Sequence, residues 1–205
     1  MTGRHPLLPK AWLFSDERIE AGITELAALL PPGSGIIFRH DNLTPGARWR
    51  LLRRLMRTAR ARGLTVLLAG PPATARRWGA DGVHLRQRDA KYAGQAHRLG
   101  LLLTMPVHDM GEARRARRSG ANVAFISPLH PTRSHPGAPM LGRAAWLRLA
   151  RLSAAQPVAL GGMTAARARA LNRASGIRSG WAAIDAWEKR ATERRKRQKR
   201  NAVPT

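Results

Sequence analysis

Side chains that bind oxyanions or move protons recur along this chain, each time directly after a short apolar run. The densest group is "PLHPTRSHPGAP", residues 128–139, where Thr132, Ser134 and His135 offer donors to an oxyanion and the prolines limit the loop's freedom. "HLRQRD" supplies His84, Gln87 and Asp89, and "TMPVHD" supplies His108 and Asp109. "LGGMT" contains Gly161 and Gly162, whose missing side chains let backbone amides approach a ligand closely. "AAIDAW" sets Ile184 and Asp185 immediately before a helical stretch. The chemistry these residues support is anion binding with proton transfer: imidazole gives and takes a proton near neutrality. Arg39 is suited either to a bidentate anion clamp or to an ion pair with Asp41 or Asp89. His84 lies inside an apolar run and reads as a satisfied interior histidine rather than a ligand. No His-x-x-His or His-Cys pattern suggests zinc.

Eight short apolar runs must position these groups. They are Trp12–Phe14, Ile36–Arg39, Thr65–Ala69, Gly82–Leu85, Leu101–Met105, Val123–Ser127, Pro157–Gly161 and Gly180–Ile184. Apolar on both sides and bounded by Gly or Pro, they read as strands buried on both faces. Helical periodicity fills the gaps. "ARWRLLRRLMRTARARG" sets Trp49, Leu52, Leu55 and Met56 on one stripe, and two Ala/Arg helices end at Gly120 and Gly176. Eight strand–helix units predict a single α/β domain, a closed (β/α)8 TIM barrel near the lower size limit for that fold, with its chemistry in the loops after the strands. The competing open, doubly wound sheet normally shows a Gly-rich turn after its first strand, where this chain has "SDER".

Composition narrows the class further. The absence of cysteine excludes disulfides and thiolate metal sites. No apolar run approaches the ~20 residues of a membrane span, and "MTGRHPLLPKAW" lacks a secretory apolar core, so a cytoplasmic protein is expected. The net charge of +25 attracts anions generally. Part of it is concentrated in "EKRATERRKRQKR", eight Lys/Arg against two Glu. Residues 1–187 therefore read as the barrel and 188–205 as a basic, disordered tail able to hold nucleic acid or an anionic surface nonspecifically. A degenerate barrel binding polyanions through this tail is the non-enzyme reading.

Three motifs carry a resemblance. "GADGVHLRQRD" is similar to the G-A-D-G-V-H-L-G-Q-x-D of the thiamine phosphate synthase/TenI superfamily. "ISPLHPTRSHPGAPMLG" is similar to its G-P-v-F-x-T-x-T-K loop, and "PVALGGMT" to its P-V-x-A-I-G-G-I. The resemblance implies a barrel that binds a phosphorylated thiazole through Thr132, Ser134, Gly161 and Gly162, with Arg39, His135 and Ile184 as further substrate- and phosphate-binding residues, Arg39 lying in the segment that holds the pyrimidine diphosphate in the family. Synthases of this family join a hydroxymethylpyrimidine diphosphate to a thiazole phosphate and release pyrophosphate, with Mg2+ assisting; Asp89 matches one metal ligand. TenI-type tautomerases instead move protons within the thiazole ring, need no metal, and use a histidine that His108 matches.

The departures bear on which branch applies. The family's Q-L-R-x-K aligns with Ile37 to Asp41, keeping Arg39 but setting an acid where a lysine would meet the diphosphate. Its Asn-Asp pair after strand three aligns with Ala69 and Gly70, its strand-five serine with Pro106, its loop lysine with His135 and a phosphate-side serine with Asp185. Losses on the diphosphate and metal side imply a thiazole-phosphate-binding, TenI-like protein with His108 as acid/base. His108 could otherwise cap the next helix or bond Asp109. The alternative is a true synthase in which Arg39, Arg86, Arg88 and His135 substitute for the lost groups.

Overall fold

A computed structural model of the chain describes residues 8–17, 19, 22–131 and 139–201. Its strands are β1 (Ala11–Phe14), β2 (Gly35–Phe38), β3 (Thr65–Ala69), β4 (Gly82–His84), β5 (Leu102–Val107), β6 (Val123–Ile126), β7 (Gln156–Ala159) and β8 (Gly180–Ala183). All pair in parallel, and β8 closes on β1 with Leu13 opposite Ala183. The intervening helices are α1 (Ile23–Leu29), α2 (Pro45–Ala61), α3 (Pro72–Trp78), α4 (Ala93–Arg98), α5 (Met110–Arg118), α6 (Gly142–Ser153), α7 (Ala165–Ser175) and α8 (Asp185–Asn201). This is the (β/α)8 barrel, and each strand lies within a residue or two of its expected place. Among the described residues no helix is long and apolar enough to cross a membrane.

Strand alternation sorts the apolar side chains into two layers. Trp12, Phe14, Ile37, Leu67, Val123, Phe125, Val158 and Ala182 point inward and form one cluster. Their neighbours Leu13, Ile36, Phe38, Leu68, Ala124 and Ile126 point outward against the helices. Inside, Phe125 meets Trp12 and Phe14 edge to face, with centroids 5.2 and 4.8 Å apart. Trp12 fits only because residue 35 is glycine: a Cβ there would lie 2.2 Å from the Trp12 ring.

Three local expectations change. Trp49 is not part of the buried stripe of α2; it is 37% exposed, under the Arg53 guanidinium, while Leu52, Leu55 and Met56 are buried. β5 continues through Pro106 to Val107. The basic segment from Glu188 does not leave the barrel as a disordered tail but prolongs α8 to Asn201. That helix is anchored by buried Trp187 and Ala191, by a Trp187 Nε1–H bond to the Trp12 carbonyl (3.1 Å), and by an Arg195–Glu25 ion pair to α1. Two buried residues four positions apart, Trp187 and Ala191, with the Arg195–Glu25 pair one turn on, seat a helix whose other faces are almost entirely charged.

Candidate active site

A cavity of about 1050 Å³ opens at the C-terminal ends of the strands. Its floor is aromatic: Phe14 and Phe125 flank His84 edge-on, each with centroids 5.6 Å from the imidazole. His84 is only 7% exposed, and its Nδ1 lies 2.9 Å from Thr104 Oγ1 on β5. Burial, with smaller contributions from Arg39 and Arg86, pushes its pKa down to about 3, so the ring is neutral at pH 7.

The wall above β2, β3 and β4 carries Arg39, Asp41, Arg48, Gly70, Arg86 and Asp89. Asp41 does not stand as a bare repulsive charge, as the sequence suggested. Its Oδ1 is 3.1 Å from Arg48 Nη2 and its Oδ2 2.5 Å from Arg86 Nη2. Arg48, in the first turns of α2, is locked further: Nε donates to the Arg39 carbonyl (2.7 Å) and Nη2 to the Ala69 carbonyl (2.6 Å). Burial pulls the Arg48 pKa below its ordinary value, with the Asp41 carboxylate opposing. Arg39 has no ion-pair partner among the described residues, so neither Asp41 nor Asp89 neutralises it.

Across the barrel, the wall above β7 and β8 carries Gly161, Gly162, Thr164, Arg167, Ile184, Asp185 and Lys189. The double glycine has a packing reason besides ligand approach. With φ of +94° and +58°, a Cβ on Gly161 would sit 2.9 Å from Pro128 Cα, and one on Gly162 2.6 Å from the Pro131 carbonyl. The loop after β6 lies on these glycines, with Leu129 and His130 amides donating to the Leu160 and Gly161 carbonyls. Burial, then Arg167, lowers the His130 pKa. Thr164 caps α7 by accepting from the Arg167 amide at 3.2 Å, and Arg167 Nη1 donates to the Gly162 carbonyl.

Between the walls, His108 enters from the end of β5. Its partner is Glu112 rather than Asp109: His108 Nδ1 is 2.8 Å and its amide 2.7 Å from Glu112 Oε2. Asp109 is the cap of α5, accepting from the Glu112 amide at 2.8 Å. The Asp109/Glu112 spacing is a recognisable capping pair, and it holds the carboxylate against the histidine.

Of the site residues expected from sequence, Arg39, Asp89, His108, Gly161, Gly162 and Ile184 line this one cavity. Thr132, Ser134 and His135 lie outside the described residues. Arg48, Glu112, Arg167 and Lys189 were not expected. Each sits in the first turns of a helix that follows a strand, the signal by which they could have been found. The expected metal site fits poorly. Among the described residues no group of three or more His, Cys, Asp or Glu could hold a cation. Both Asp41 oxygens face guanidinium groups, and Asp89 has Arg88 Nε at 4.0 Å. This donor set does not suit protein-held Mg2+.

The cavity of this parallel barrel thus sets cationic side chains on facing walls over an aromatic floor. The family model described as thiamine monophosphate synthase matches residues 15–186, and the chain belongs to that family. It is 32% identical over 145 residues to a thiamine-phosphate synthase of Chromobacterium violaceum, covering 69% of this chain and 70% of the relative. It is 31% identical over 145 residues to the Geobacillus kaustophilus thiamine-phosphate synthase, covering 67% and 66%. Among solved structures, a thiamine phosphate pyrophosphorylase from Pyrococcus furiosus superposes with a TM-score of 0.73 over 91% of this chain and 94% of that one, at 21% identity, a likeness of fold.

Proposed function

We propose that this protein is a thiamine phosphate synthase, coupling a hydroxymethylpyrimidine diphosphate to a thiazole phosphate. One observation carries the reading: a single cavity of about 1050 Å³ has a guanidinium-rich wall on one side and a glycine-lined wall with Arg167 and Lys189 on the other. That volume is at the upper end for one small ligand and suits two. The diphosphate occupies the Arg39/Arg48/Arg86 wall, the thiazole phosphate the β7–β8 wall, and the two rings meet over Phe14, His84 and Phe125. The thiazole nitrogen lone pair forms the bond to the pyrimidine methylene carbon. The carbon–oxygen bond to diphosphate breaks, and its electron pair leaves on pyrophosphate. The chain's residues hold both reactants in line, stabilise the departing charge and keep water from the reacting carbon.

The His108–Glu112 pair favours a second reading, a TenI-like tautomerase acting on thiazole phosphate alone. Glu112 orients the imidazole while a ring proton moves. Incubating the purified protein with both substrates separates the two. Thiamine phosphate and pyrophosphate formed in equal amounts support the synthase. Their absence, together with proton exchange on the thiazole that His108→Ala abolishes without loss of affinity, would establish the tautomerase instead.

A further inference from the structure

The wall that would hold a metal-bound diphosphate has been rebuilt around guanidinium groups. After β3, where the family's resemblance places an Asn-Asp pair, this chain has Ala69 and Gly70. The vacated space is not empty. Arg48 reaches in from α2, with Nη2 on the Ala69 carbonyl and Nη1 3.8 Å from the position a Gly70 Cβ would take. A cation therefore stands in van der Waals contact with the point where a carboxylate side chain would begin. Arg86, in the loop after β4, reaches the same point by way of Asp41. Asp41 thus acts as a spacer between two guanidinium groups, spending both oxygens on Arg48 and Arg86. With Arg39 and Asp89 included, three cationic and two acidic side chains line the wall. A divalent cation placed there would add charge of the sign already in excess, beside a locked and largely buried Arg48 that is 14% exposed. A diphosphate brings the opposite charge and acceptor oxygens that match the planar donor forks of arginine.

We propose that this wall binds the diphosphate group directly through Arg39, Arg48 and Arg86, without a magnesium ion held by the protein. The inference rests on the synthase reading for the identity of the diphosphate but is tested apart from it. Arg48 supplies a fixed charge, while Arg86 and Arg39, more exposed, close on the ligand. When the carbon–oxygen bond breaks, the guanidinium groups take up the developing negative charge, and no proton transfer is required.

The test is calorimetric titration of the full chain with inorganic pyrophosphate, in EDTA and in parallel with magnesium chloride. Saturable binding in EDTA, at least as tight as with magnesium, is expected. Arg86→Ala should weaken it roughly tenfold or more, the loss of charge-assisted hydrogen bonds, while the thermal unfolding midpoint stays in place. Arg86→Lys should recover only part, because a point charge replaces a fork. Binding that appears only with magnesium overturns the proposal. So does binding in EDTA that Arg86→Ala leaves unchanged, which would put pyrophosphate elsewhere on the basic surface. The coupling assay is scored separately. Product formation with magnesium-dependent pyrophosphate binding refutes the clamp and spares the synthase; Arg86-dependent binding in EDTA without product does the reverse.

Discussion

Lowering the pH should cost this barrel stability through His84 in particular. The ring is buried at the cavity floor and bonded at Nδ1 to Thr104, and its pKa falls from 6.5 to about 3 on folding. Between those values the unfolded chain takes up a proton that the folded chain refuses. The stabilisation is complete above pH 6.5 and is lost progressively as pH falls towards 3. Over the whole window it amounts to about 5 kcal/mol, at 1.36 kcal/mol per pH decade, and between pH 7 and pH 5 to about 2 kcal/mol. His84→Asn keeps an amide near Nδ1 to meet Thr104 and removes the titration. Urea unfolding of both proteins at pH 7 and pH 5 isolates the effect, since His40, His130 and the carboxylates are common to both. The wild type should lose about 2 kcal/mol more than the variant over that interval. Equal losses would show that the ring protonates in the folded state as readily as in the unfolded one, and the neutral floor would have to be abandoned.

Two substitutions and a truncation probe the architecture. Gly35→Ala forces a Cβ to 2.2 Å from the Trp12 ring in the sealed barrel interior, so it should destabilise by at least about 1–3 kcal/mol in chemical unfolding. Asp109→Ala removes the side-chain cap of α5 and should cost about 1 kcal/mol in chemical unfolding; it also loosens Glu112, so any His108-dependent proton exchange should slow with it. Ending the chain after Trp187 strips Ala191 and the Arg195–Glu25 pair from α8 and takes Lys189 from the cavity. It should lower the melting temperature by at least about 4 °C, on the order of 2 kcal/mol for a chain of this size, and weaken phosphate binding. An unchanged melting curve would mean that the basic segment is an appendage after all.

The barrel was legible in the sequence because its strands are short, apolar on both faces and punctuated by Gly and Pro, and because eight such units in parallel leave little choice of closure. The residues at the strand ends were legible for the same reason: once β2, β4, β5, β7 and β8 are located, Arg39, Asp89, His108, Gly161 and Ile184 must share one rim. What tertiary structure alone decided is who meets whom on that rim. Asp41 read as a charge opposed to diphosphate, yet Arg48 and Arg86, 7 and 45 positions further along the chain, close on its two oxygens. Glu112, not Asp109, orients His108 because a helix brings the side chain four positions on back over its first turn. Strand and helix periods are local properties, set by backbone geometry and hydrophobic burial over a few residues. Electrostatic partnership depends on distances across the barrel, which come into being only when the eighth strand pairs with the first.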